Sequence, residues 1–296
     1  MANPVMNSKN FQQQMHSGQS QPSWYAGAPQ GAAQTPYGQT PYGQAPQGQQ
    51  PYGQAPYGQQ AGAPDLEQMY AAPAAGPADT GRMTYNDIVG KTAFCLVLVV
   101  VGGAVGWMFP GIGIVGAIIG FVLGLVNAFK KNPSPALILA YSAAQGLFLG
   151  AFSSIMEGTY PGIVVQAVLG TLSVFAVTLA LFSSGKFRPT PKMTKIFMIA
   201  MLGYLVFSLV NVGMMLFGVT DSMFGMRSGM IGVVIGLLAV LLASYSLVMD
   251  FQMAEDGVRN GVPEKFSWTV AFGLTVTLIW LYVEILRILA ILRGDD

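Results

Sequence analysis

The sequence predicts an all-α integral membrane protein with seven transmembrane helices behind a disordered tail. Three observations lead there. Residues 88–292 are crowded with seven apolar stretches, each near the ~20 residues a helix needs to cross ~30 Å of hydrocarbon. The 296-residue chain is 52% hydrophobic and only 9% charged, against roughly 25% charged in soluble domains. The stretches are separated by short segments holding Pro, Gly, Lys and Arg, the residues that end spans and stay in water.

Residues 1–80 read as a separate, disordered segment. Pro36, Pro41, Pro46, Pro51 and Pro56 recur in register, and Pro-Tyr-Gly-Gln repeats at 36–39, 41–44, 51–54 and 56–59. Proline and glycine disfavour helix and sheet, and few aliphatic side chains are present to build a core. The tail reads as a flexible tether whose tyrosines, set among Gln and Gly, suit weak self-association or partner binding. The membrane domain then takes residues 81–296.

Order is expected from Thr84, where Thr84-Tyr85-Asn86-Asp87 has the form of a capping box with Asp in place of the usual Glu or Gln. The first span runs over 88–109 and stops at Pro110-Gly111. The second covers 112–129 and closes at Lys130-Lys131-Asn132-Pro133. The third to sixth fall at 135–156, 162–183, 196–217 and 229–251, and the seventh at 268–292.

Charge placement sets the expected orientation. Arg82, Lys91, Lys130, Lys131, Lys186, Arg188, Lys192, Lys195, Arg259 and Lys265 fall on one side, and only Arg227 and Arg293 on the other. Ten against two predicts a cytoplasmic N-terminus by the positive-inside rule. No basic segment followed by a short apolar core opens the chain, so a cleaved signal peptide is not expected. The net charge of +1 argues against nucleic acid as a partner.

Chemistry is narrowed by count. The single cysteine (Cys95) and single histidine (His16) leave no Cys/His metal site, no disulfide and no histidine-dependent nucleophile in the spans. The run Gly111-Ile-Gly113-Ile-Val-Gly116 spells a dinucleotide fingerprint but has no strand before it. With Gly120 and Gly124 it has the four-residue spacing of close helix packing, as do Gly146 with Gly150 and Gly232 with Gly236. Methionines 214, 215, 223, 226 and 230 cluster around one loop and read as packing rather than a soft-metal site. An enzyme is not expected.

The sharper signals are acids inside apolar spans. Asp250 closes span six and Glu284 lies past the middle of span seven. An ionised group at the bilayer centre costs ~2.5–3.5 kcal/mol on insertion scales, so such residues are functional or paired. Arg287, three positions after Glu284, shares its helical face and is a ready ion-pair partner.

Residues 83–293 resemble the Bax inhibitor-1 family, in a member of the actinobacterial type with a long Gln/Pro/Gly/Tyr-rich tail. The likeness rests on seven spans, on an Asp followed by an aromatic residue closing span six (Asp250-Phe251), and on Leu281-Tyr282-Val283-Glu284-Ile285-Leu286-Arg287 in the last span. The resemblance implies a central last helix wrapped by the other six. It also implies an acidic pair, Asp250 and Glu284 here, that senses pH and gates a leak of small cations, calcium foremost. Two close carboxylates would share a proton and titrate as one unit, binding calcium only weakly and with no other cofactor. The spacing between the two acids is longer than the family's, the extra residues falling in 257–272. A straight last helix would therefore carry Glu284 too deep to reach Asp250 and leave it to Arg287. The other expectation is a non-transporting regulator that binds membrane proteins such as a membrane protease. A bacterial plasma membrane is the expected location.

Overall fold

The computed structural model describes residues 81–294 apart from 221 and 223, so the expectation for the tail lies outside the described residues. Seven long helices follow one another: α1 (Tyr85–Met108), α2 (Gly113–Phe129), α3 (Pro135–Thr159), α4 (Ile163–Ser183), α5 (Pro191–Leu216), α6 (Gly229–Arg259) and α7 (Ser267–Gly294). All seven are long and apolar enough to span a bilayer. Single 3₁₀ turns at Pro110–Ile112, Gly225–Arg227 and Glu264–Phe266 introduce α2, α6 and α7.

The expected capping box is realised atom for atom. Thr84 Oγ1 accepts from the Asp87 N–H at 3.2 Å, and the Asp87 carboxylate accepts from the Thr84 N–H at 2.9 Å. Each half satisfies a donor that the first turn leaves open. Two ends differ from expectation by five residues or more. α5 starts at Pro191, where Thr190 accepts from the Met193 N–H at 3.3 Å. α6 runs past its apolar stretch to Arg259, its polar end carried by Gln252 donating to Asp256 at 3.0 Å. Hydropathy fades at Asp250, but Gln252, Glu255 and Arg259 remain good helix formers in water. Gly261, at φ +63°, then ends the helix in the left-handed region.

Glycine decides how α1, α2 and α3 meet. A Cβ added at Gly102 would lie 2.6 Å from the Ala143 carbonyl oxygen, one at Gly146 2.5 Å from that of Val99, and one at Gly150 would overlap that of Gly103. A Cβ at Gly116 would come within 2.7 Å of the Ala144 oxygen. These backbones touch because no side chain stands between them, the usual way helices associate in lipid. The chain thus uses Gly116, Gly146 and Gly150 for packing, and the letters of the dinucleotide fingerprint lie on a turn and a helix.

α7 is the central helix. Residues 269–275 are buried without a break, about two turns, so neighbours cover every face. α1, α3, α4 and α6 pack along it, and α5 reaches it through Tyr204, whose ring lies 5.6 Å from that of Trp280. α2 packs on α3 at the outside, which narrows the expectation of six wrapping helices.

At one end of the bundle the chain entering α1 is pinned to the α6–α7 loop. The Met83 N–H donates to Val262 O at 2.7 Å and the Glu264 N–H to Gly81 O at 2.9 Å. Met83 is fully buried. Lys91 Nζ adds bonds to Glu264 Oε1 (2.8 Å) and Ser267 Oγ (2.7 Å). This is the near end of the bundle, and the end carrying Arg227 and Arg293 is the far end.

Candidate functional site

Both acids flagged in the spans are buried: Asp250 is 4% and Glu284 2% exposed. They do not meet. Asp250 stands nine residues before the end of α6 (259 − 250) and Thr277 ten residues after the start of α7 (277 − 267). The two are therefore level, ~14 Å inward from the near end. Thr277 Oγ1 donates to Asp250 Oδ2 at 2.7 Å. Ser246 Oγ, one turn along α6, lies 3.4 Å from the same threonine hydroxyl. Leu247, Phe251, Leu274 and Leu281 belong to the apolar cluster around this polar knot. Among the described residues no basic side chain forms an ion pair with Asp250.

Glu284 follows Thr277 by seven residues on an unbroken helix, which sets it ~10 Å further along the axis. It has its own set of partners. Arg287 reaches both carboxylate oxygens, Nη1 to Oε1 at 3.2 Å and Nη2 to Oε2. Trp280 Nε1 donates to Oε1 at 3.2 Å, and Tyr204 OH from α5 donates to the same oxygen. Arg227 enters from the 3₁₀ turn before α6, its Nη1 3.7 Å from Glu284 Oε1 and 3.1 Å from Tyr204 OH. Its Nη2 donates to Ser208 Oγ, and its guanidinium lies over the rings of Tyr204 (4.8 Å) and Phe207 (5.3 Å).

The proton-sharing carboxylate pair expected between Asp250 and Glu284 is thus corrected to two separate centres. The extra residues between the acids extend α6 and close the near-end loop, and α7 then runs through Gly273 without a break. The Glu284–Arg287 ion pair is present, as the spacing of three on one helix allows. Arg227, Tyr204, Ser208, Trp280 and Thr277 were not singled out from sequence. Trp280, four residues before Glu284, shares its helical face and was findable by spacing. Arg227 had been counted only as one of two basic residues on the sparse side, and nothing local announces that it turns inward.

The near centre offers oxygen donors only: one carboxylate and two hydroxyls. Such a set suits hard cations, though calcium takes 6–8 oxygens. No group of three or more His, Cys, Asp or Glu side chains comes together among the described residues.

A seven-helix bundle whose last helix is buried at the centre, with one buried acid on that helix and another on α6 at a different depth, defines an integral, multi-pass membrane protein built around a polar axis. The family model described as Bax inhibitor 1 like matches residues 3–294, so the chain belongs to that family. The match begins in the tail, well before the stretch whose motifs first suggested the likeness. No curated protein matches the chain.

Proposed function

We propose that the protein is a pH-sensitive leak for small cations, calcium first among them, in which Asp250 is the proton-responsive carboxylate and the Glu284 cluster is the barrier. The observation that carries this reading is Asp250 itself, buried with the Thr277 hydroxyl as its donor and with no ion pair among the described residues. A carboxylate so placed is either neutralised by a proton or attractive to a cation. The sign follows: protons compete with cations for the same oxygens, so raising the pH frees Asp250 to hold a cation and increases flux. Beyond it, Arg227 and Arg287 carry two positive charges against the one negative charge of Glu284, which repels an approaching cation. Arg287 is fixed on α7, whereas Arg227 sits on a 3₁₀ turn outside the helices, so Arg227 is the group that moves when the path opens.

The remaining parts of the reading rest on the sequence. The excess of Lys and Arg on the near side supports a cytoplasmic N-terminus in a bacterial plasma membrane, and the absence of histidine outside the tail supports a protein without catalysis. Liposomes holding the full-length protein and a calcium dye test the proposal between about pH 5 and about pH 8. Wild-type flux should rise with pH, Asp250→Asn should flatten that dependence, and Arg227→Gln should raise flux throughout. Flux equal to that of empty liposomes at every pH would end the reading and leave the non-transporting regulator of membrane proteins in its place.

A further inference from the structure

The cluster around Glu284 holds more positive charge than the carboxylate can balance. Arg227 and Arg287 are 9% and 5% exposed, and both make ion pairs with the one acid. Two positive charges against one leave +1 in a site walled by Tyr204, Phe207, Trp280 and Gly236. A buried charge without a counter-charge costs several kcal/mol.

The hydrogen bonds point the same way. Glu284 Oε1 already accepts from Tyr204, Trp280 and Arg287, more than the two lone pairs of a carboxylate oxygen readily serve. Arg227 has spent its Nη atoms on Tyr204 and Ser208, and Arg287 its own on Glu284. The Nε–H groups of both arginines are buried and have no acceptor among the described residues. Buried donors of charged groups nearly always find one. The missing partner must therefore accept hydrogen bonds, carry one negative charge and be small.

We infer that Arg227 and Arg287 form a binding site for a small monovalent anion of the size of chloride, held by their Nε–H groups beside Glu284. Such an anion neutralises the cluster and fixes Arg227 against α7. It reaches the site from the far end, where Arg227 lies two residues before the start of α6. An anion bound here would cancel the excess charge proposed to repel cations, so the flux assay is run in gluconate, and binding to the folded protein is read without flux.

Melting of the full-length protein in detergent tests it, with chloride replacing gluconate at constant ionic strength. Gluconate is too large for a buried site, and acetate serves as a further arm to separate halides from small carboxylates. A ligand that binds only the folded state raises the melting temperature by mass action. The expected result is a saturable rise of several degrees with chloride and bromide, lost in Arg287→Gln. Trp280, bonded to Glu284, gives a second readout that needs no arginine variant. With the other three tryptophans replaced by Phe, its fluorescence should be quenched by iodide along a saturating curve that chloride displaces. A rise with acetate equal to that with chloride would keep the site and widen its ligand to small carboxylates. Identical melting in chloride and gluconate would overturn the proposal, as would quenching that rises linearly with iodide and ignores chloride.

Discussion

Thr277 donates its hydroxyl to Asp250 at 2.7 Å, and this bond fixes which turn of α7 faces the buried end of α6. The acid has one hydrogen-bond donor from α7, and that donor sits two turns short of Glu284. A position that might have placed a second carboxylate beside Asp250 instead places a hydroxyl, so the centre carries at most one negative charge.

Removing that hydroxyl should therefore cost more than its size suggests. Thr277→Val keeps the shape of the side chain but strands the buried carboxyl group, at about 1–3 kcal/mol. Thr277→Ser retains the donor and should lose less. Urea or thermal unfolding in detergent measures both. Equal stability of Thr277→Val and wild type would show that the bond contributes nothing.

The Glu284 cluster makes an asymmetric prediction. Glu284→Gln leaves two guanidinium groups facing each other without an acid, and breaking a buried pair from one side costs about 3–5 kcal/mol. Arg227→Gln leaves the acid with Arg287, Tyr204 and Trp280, so its loss should be the smaller. The double variant Glu284→Gln/Arg287→Gln should be more stable than the sum of its parts, by a coupling of about 0.5–3 kcal/mol. Strict additivity would mean that the two residues do not interact.

These contacts also show what sequence could and could not reveal. The spans, the Thr84–Asp87 cap and the packing role of Gly116, Gly146 and Gly150 were legible, because length, capping chemistry and four-residue spacing are local signals. The Glu284–Arg287 bond was legible for the same reason. The separation of Asp250 from Glu284 depends on where α6 ends and α7 begins. α6 continued for eight residues beyond its expected end at 251 (259 − 251) because polar helix formers carry no hydropathy signal. Arg227 and Tyr204 were hidden, since they approach Glu284 across 57 and 80 positions (284 − 227 and 284 − 204) and only the fold brings them together.

The α1–α3 seam gives a test that separates crowding from helix propensity. Gly150→Ala drives a methyl group into the Gly103 backbone, and Gly90→Ala meets nothing within 4 Å. Alanine favours helix over glycine by about 1 kcal/mol in both places, so propensity alone would stabilise both. Overpacking should reverse the sign at Gly150 by about 1–3 kcal/mol and leave Gly90→Ala at or above wild type. Melting of the two variants in the same detergent decides it.

The near-end clamp ties the segment before α1 to the α6–α7 loop. Met83 is wholly buried, and its Cε occupies the space a side chain at Gly257 would need. Its N–H is held by Val262. Met83→Ala empties that site and should cost about 2–5 kcal/mol, the range for large-to-small changes in a core. Lys91→Ala, by contrast, removes an ion pair to a Glu264 whose side chain is half exposed, worth about 0–1 kcal/mol. Removal of residues 1–80 spares the clamp contacts made by Gly81, Met83 and Lys91, so that protein should melt higher than one cut after residue 83. Removal of residues 1–83 takes Met83 and the Gly81 acceptor away from the α6–α7 loop, and it should lower the melting temperature as much as Met83→Ala does. If both truncations melt alike, the clamp does not hold α6 and α7 in register, and the level pairing of Asp250 with Thr277 must be fixed by the helices alone.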